Sequence, residues 1–223
     1  GRVNLTYGAY YAFGNESQGT FTNKPQKINA YYGAAEVSVD YDWIRARVHG
    51  VHASGDDDPF DGKAEGFDAI FENPIIAGAD TSFWIRQGIP NIGGGGVTAS
   101  TRNGVLNNLR SSKEHGQSNF SNPGVTLVGA GADFDVLPEL RFSANVNHIW
   151  FTNTATIEVA RNQGSIEPEI GLDLSGAFIY RPFMHQNIVF RLSGAVLVPG
   201  TGYKQLFGDD IAYSVLGNLM LVY

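Results

Sequence analysis

The chain has 223 residues, of which only 17% are charged, with 28 glycines, no cysteine and a formal net charge of −7. The charged share lies below the roughly 25% usual for soluble domains. Lack of cysteine excludes disulfides, thiolate metal sites, haem attachment through Cys-x-x-Cys-His and cysteine nucleophiles, and an acidic chain without a basic stripe speaks against nucleic acid as a partner. No run approaches the roughly 18 apolar residues of a spanning helix, which leaves a barrel as the membrane architecture still open.

In chain order, the dominant signal is a period of two, the mark of a strand. Val3 to Gly14 places Val3, Leu5, Tyr7, Ala9, Tyr11 and Phe13 on one face. After the polar stretch NESQGTFTNKPQK, Ile28 to Trp43 carries Tyr31, Val37, Val39, Tyr41 and Trp43 on one side and Glu36, Ser38 and Asp40 on the other. A very tight turn leads into Ile44 to Ser54, with Arg45, Arg47 and His49 on the polar face. If the hairpin closes at Asp42 and Trp43, Asp40 faces Arg45 and Glu36 faces His49, pairs worth a few tenths to about 1 kcal/mol each.

Residues 55–122 lack a sustained period and form a long loop, a length usually tied to function or disorder. Asp56, Asp57, Asp58 and Asp61 cluster at its start. Hard cations favour such oxygens, so calcium is the one cofactor to consider, although the spacing is not that of an EF-hand; a solvated acidic turn is the alternative. Asp80 to Gln87 and Asn103 to Leu109 read as short strands or helical turns, separated by the run Gly93 to Gly96.

Alternation resumes in Val125 to Val136, with Gly129, Gly131, Asp133 and Asp135 on the polar face. It continues in Glu139 to Thr152, with Arg141, Ser143, Asn145 and Asn147. Glu169 to Phe183 has Ile170, Leu172, Leu174 and Phe178 opposite Asp173 and Arg181, and Ile188 to Val198 has Arg191 and Ser193 opposite its apolar side. Asp210 to Tyr223 closes the chain as an alternating segment ending on an aromatic.

The expected fold is therefore all-β: an antiparallel up-and-down transmembrane barrel, eight strands in this chain, forming one domain over 1–223. The connections alternate long and short, as in outer-membrane barrels with short periplasmic turns and long outer loops. Tyr41, Trp43, Tyr180, Phe183 and Tyr223 gather toward the short turns, and Tyr11, Phe13, Trp150, Phe151 and Tyr213 toward the long loops, as two interface girdles do. The polar face, Glu36, Asp40, Arg45, Arg47, His49, Asp133, Arg141, Asn145, Asn147, Asp173, Arg181 and Arg191, is then the wall of a lumen. Its many small residues, among them Gly8, Gly129, Gly131, Gly171, Ala177 and Ala195, read as a thin lining suited to a pore wider than eight strands enclose.

The runs NPGVTLVGAGADFDVLPELRFSANVNHIWF, IGLDLSGAFIYRPF and NIVFRLSGAVLVPGTGYKQLF resemble the C-terminal half of alginate-export-like outer-membrane porins, and HASGDDDPFDGKAEGFDAIF resembles their acidic segment. The terminal strand resembles those that the barrel-assembly machinery reads. The resemblance covers roughly residues 50 to 223 and implies a place in the bacterial outer membrane, in contact with lipid and lipopolysaccharide. It also implies passive passage of polar or anionic solutes, and a barrel of about 16 to 18 strands, of which this chain is one part unless it closes alone with eight. The alternative is a structural barrel that anchors or sheathes a partner such as an electron-transfer cytochrome. A hydrolase built on His52, Ser54 and Asp56 is the third reading; alternate positions on a strand do not make a triad, and no enzyme activity is expected.

Overall fold

The computed structural model describes residues 2–68, 76–78, 80–86, 120–184 and 187–222. The glycine run 93–96, the segment 103–109 and Tyr223 lie outside them. Eight long strands follow the predicted alternation: β1 (Val3–Glu16), β2 (Gln26–Tyr41), β3 (Ile44–Ala53), β5 (Val125–Leu137), β6 (Leu140–Trp150), β7 (Glu169–Tyr180), β8 (Ile188–Pro199) and β9 (Ala212–Leu221). Their β-branched and aromatic residues at every second position suit a pleated surface. Each long strand pairs antiparallel with the next, and β1 and β9 end the path without pairing to each other.

A ninth strand, β4 (Lys63–Ala64), pairs parallel with β2 at Lys27 and Ile28. Three short helices also escape the period-two reading. They are α1 (Phe83–Arg86), α2 (Ala155–Arg161) and α3 (Thr201–Phe207), the last two inside stretches expected to be loop. Helices this short carry too few turns for periodicity to reveal them.

Register turns the strand list into geometry. A row of paired residues starts at Val3, the first of β1, and passes through Val39, Ala46, Ala132, Ala144, Gly176 and Gly194. It reaches Val215, six residues before the end of β9. At the other end, the row through Gly8 arrives at Pro199, where β8 stops, while β1 continues eight residues further, to Glu16. With ~3.4 Å per residue along a strand and ~4.8 Å between strands, these offsets tilt the strands by roughly 30–45°. Barrel strands tilt by about 35–45°.

Burial divides the sheet by face. The apolar outer face is open, with Val48 60%, Val128 52%, Leu192 57% and Val215 73% exposed, whereas His49, Asn145, Asn147 and Asp173 on the polar face are buried. Aromatics band the outer face near the tight turns: Trp43, Phe134, Phe142 and Phe178 follow one another across neighbouring strands at ring separations of 6.1, 6.1 and 4.8 Å. Toward the long loops, Tyr11 stacks near Phe13, His148 stacks on Trp150, and Tyr31 lies tilted beside His52.

The apolar core sits on the inner side of the sheet at the long-loop end. Val51, Leu127, Ile149, Ile170 and Leu197 from the strands meet Phe67, Trp84, Ile85, Ile157, Tyr203 and Leu206 from the connections. Two expectations change here. Phe151, expected at the outer rim, is buried edge-on to Trp84 at 5.8 Å. Ile170, expected on the outer face, turns inward because the β6–β7 register slips between Ile149 and Trp150. The extra residue of such a bulge reverses which face the next side chain takes.

Candidate functional site

The hairpin pairs expected from the turn are present: Asp40 lies opposite Arg45 and Glu36 opposite His49. Arg45 donates two bonds to Asp40, at 2.5 and 3.1 Å, and Arg141 does the same to Asp135, at 2.6 and 3.0 Å. Both are fork-on-carboxylate contacts, which fix geometry as well as charge.

The centre of the polar face is built around two glycines of β5. His49, Gly129 and Asn147 form one row across β3, β5 and β6, and Arg47, Gly131 and Asn145 form the next. The outer members of each row are separated by two strand spacings, roughly 9.5 Å. Their side chains nevertheless meet above the glycine: His49 Nε2 is 2.6 Å from Asn147 Oδ1, and Arg47 Nη2 donates to Asn145 Oδ1 at 2.9 Å. A Cβ on Gly129 would overlap Asn147 Oδ1 and lie 2.6 Å from His49 Nε2, and one on Gly131 would lie 2.9 Å from Arg47 Nη2. These glycines are therefore the floor over which long polar side chains cross. At these two positions the lining is filled by neighbouring side chains rather than thin. Arg47 also pairs with Asp133, which accepts from Ser143 Oγ at 2.7 Å.

A piece of the long connection lies on this face. Asn147 Nδ2 donates to Ala77 O at 2.8 Å, so Asn147 accepts from His49 and donates onward to the covering segment. Gly78, at φ +63°, sits so close to Asn145 that a Cβ would be 2.9 Å from Asn145 Cβ. Thr81 Oγ1 meets Ser175 Oγ at 3.0 Å. Asp173 Oδ2 accepts from Ser82 Oγ and from the Trp84 amide, both at 2.8 Å, while Asp80 pairs with Arg191 from β8. One carboxylate of the polar face, Asp173, thus anchors the start of α1. Between Ala77, Gly78 and Asp80 and the sheet remains a polar cavity of about 200 Å³, bordered by Glu36, Arg47, Asp80, Asp133, Arg141 and Arg191.

Of the residues expected to line a lumen, Glu36, Arg47, Asp133, Arg141, Asn145 and Arg191 border this cavity. Asp40 and Arg45 lie nearer the tight turn, and Asp173 and Asn147 are fully covered. Arg181 stands in the turn after β7, its amide bonded to Glu139 O at 2.8 Å. Asp80, Thr81 and Ser82 were missed, since a stretch without periodicity does not say where it docks. At the expected interface, Tyr41, Trp43, Tyr180 and Tyr213 are exposed and Trp150 is half-buried.

The acidic stretch is turned to local use. Asp58 accepts from the Phe60 amide at 3.0 Å and Asp61 from the Lys63 amide at 2.6 Å. Among the described residues no three His, Asp or Glu side chains stand together as a metal cage. Asp56 is 1% exposed, and burial pushes its carboxyl up to about 7. His52, Ser54 and Asp56 share no hydrogen bond: His52 contacts Thr126 and Ser54 Oγ donates to Glu65 O. No family model matches the sequence and no curated protein matches it.

Proposed function

We propose that this chain forms part of the wall of a bacterial outer-membrane β-barrel and that its charged face lines a passage for polar or anionic solutes, narrowed by segment 77–86. The observation that carries the reading is the inverted burial. A continuous apolar face with aromatic bands is open to its surroundings, as lipid contact requires. Charged side chains instead collect on the face that the chain folds over, and strand tilt and alternating loop lengths agree with a barrel wall. Rings of charge set selectivity in such pores. The acids and arginines around the cavity are balanced, so weak selectivity is expected, and a polyanion such as alginate is among the solutes this surface would pass. Contact with lipid and lipopolysaccharide outside, and delivery by the barrel-assembly machinery, belong to the same proposal.

Single-channel recording of the purified full-length protein in planar bilayers tests it. Discrete conductance steps are expected; a chain that fractionates with outer membranes but never conducts would overturn the passage. The extent of the cover over His49, Asn147 and Asp173 favours, in that event, a structural wall that holds a partner protein. Stoichiometric co-purification with a haem protein is its readout.

A further inference from the structure

One inner row crosses the sheet from β1 to β7. Thr6, Glu36, His49, Gly129, Asn147 and Asp173 are successive partners along it. His49 stands near its middle with a fully buried side chain, and its two ring nitrogens face different neighbours. Nε2 is 2.6 Å from Asn147 Oδ1, whereas Nδ1 is 3.6 Å from Glu36 Oε2 and makes no hydrogen bond. The bonds beyond the ring fix its tautomer. Ala77 O can only accept, so the Asn147 atom that meets it at 2.8 Å is Nδ2. Asn147 Oδ1 is then the atom facing His49, and it accepts from Nε2–H. In the neutral ring Nδ1 is therefore bare, with its lone pair turned toward a carboxylate. The other charges around the ring are engaged. Arg47 of its own strand pairs with Asp133 of β5, Asp173 of β7 holds Ser82 and Trp84, and Asp80 of the covering segment pairs with Arg191; β6 presents the neutral Asn145 and Asn147.

A neutral imidazole has one N–H and cannot serve both Asn147 and Glu36, whereas an imidazolium has two. Moving the single proton to Nδ1 would satisfy Glu36 but set Nε2 against Asn147 Oδ1, lone pair to lone pair. Turning Asn147 over would then take its amino group away from Ala77 O. The protonated ring alone serves Glu36, Asn147 and, through Asn147, the covering segment, and bonds from a charged donor are the stronger kind. Imidazole changes charge between about pH 5 and 8. We propose that His49 is a proton-operated latch. In acid it bridges Glu36 and Asn147 and holds the segment that carries Ala77 and α1 against the sheet; loss of the proton loosens that segment. The proton and the docked segment favour one another, because each stabilises the arrangement that the other prefers. The latch operates whether or not the face conducts. On the reading that this face lines a passage, acid narrows it.

The test is hydrogen exchange, read by mass spectrometry on the purified full-length protein in detergent at about pH 5.5 and about pH 8, with the intrinsic pH dependence of exchange divided out. The amides of Thr81 and Ser82, bonded to Gly78 O, and of Trp84, bonded to Asp173, report on docking. They should be protected roughly tenfold more in acid, the change that one charge-assisted bond makes. His49→Gln keeps an amide donor for Asn147 Oδ1 and takes up no proton, so the step between the two pH values should vanish. Glu36→Gln offers its amino group to the bare Nδ1, which satisfies the neutral ring. That variant should hold the segment in base as firmly as the native protein holds it in acid, an outcome that a merely structural histidine does not produce. Equal protection of the native protein at both pH values, a step that survives His49→Gln, or a Glu36→Gln variant that keeps the native step would each overturn the latch.

Discussion

Replacing Gly129 by alanine tests the crossing of the polar side chains over β5. The added methyl would overlap Asn147 Oδ1 and sit 2.6 Å from His49 Nε2 and 2.5 Å from Val146 O. The two side chains are free to part, at the expense of the buried 2.6 Å bond between them; a buried polar pair left unsatisfied costs about 1–3 kcal/mol. Val146 O belongs to the backbone of β6, so it yields only by distorting the sheet, and overpacking adds about 1–3 kcal/mol. The expected loss is therefore roughly 2–6 kcal/mol. Gly33→Ala is the control: also in a strand, it faces the other side, and its Cβ would meet nothing within 4 Å. There the change should be neutral or stabilising by up to about 1 kcal/mol, because glycine in a strand loses more entropy on folding. Equilibrium unfolding in urea, in detergent micelles and followed by tryptophan fluorescence, measures both. In a His49→Ala, Asn147→Ala background the penalty at Gly129 should shrink to the Val146 contribution. Equal effects of Gly129→Ala and Gly33→Ala would refute the crossing geometry.

Asp173→Ala should destabilise by about 3–5 kcal/mol, since it strips the partner from the buried Trp84 amide and the Ser82 hydroxyl; hydrogen exchange at the Trp84 amide should quicken, while Asp173→Asn retains part of the protection. Asp56 gives stability a pH dependence. Its folded pKa of about 7 lies above the roughly 3.9 of an unfolded aspartate, so its contribution is fully present below about pH 4, is lost as pH rises toward 7, and is flat above. The loss is on the order of a few kcal/mol, and Asp56→Asn should abolish that slope in a series of thermal midpoints. In bilayers, Arg191→Gln should move the reversal potential toward cation selectivity by removing a positive charge beside Asp80, and Asp80→Asn should move it the other way. Phe142→Ala, which removes stacking on both Phe134 and Phe178, should cost roughly 1–3 kcal/mol in the same urea titration.

Strand positions and facing were legible because a period of two survives without tertiary knowledge: β3 starts at Ile44 and β5 at Val125, as the alternation says. The Asp40–Arg45 and Glu36–His49 pairings followed because a tight turn leaves only one register for a short hairpin. What alternation cannot carry is a defect in itself. The slip at Ile149 reverses Ile170, and although Gly171 beside it adopts a φ of +137°, it is one of many glycines in these strands, so a glycine alone does not single the slip out. The seven-residue helices α2 and α3 were hidden for a related reason, since two turns give periodicity too few repeats.

By itself, the sequence determined an all-β chain with one apolar and one charged face, a strand order that follows the chain, and loops sorted by length. These properties are local: each depends on side-chain alternation and on the distance between strands along the chain. The tertiary structure alone decided what the charged face does. Gly129 and Gly131 looked like missing side chains until His49, Arg47, Asn145 and Asn147 met above them. Asp173 looked like pore lining until Ser82 and Trp84 closed on it from 89 to 91 residues away in the chain. Contacts at such separation are selected by shape and by the demand that every buried polar group find a partner, and neither is written in a local pattern.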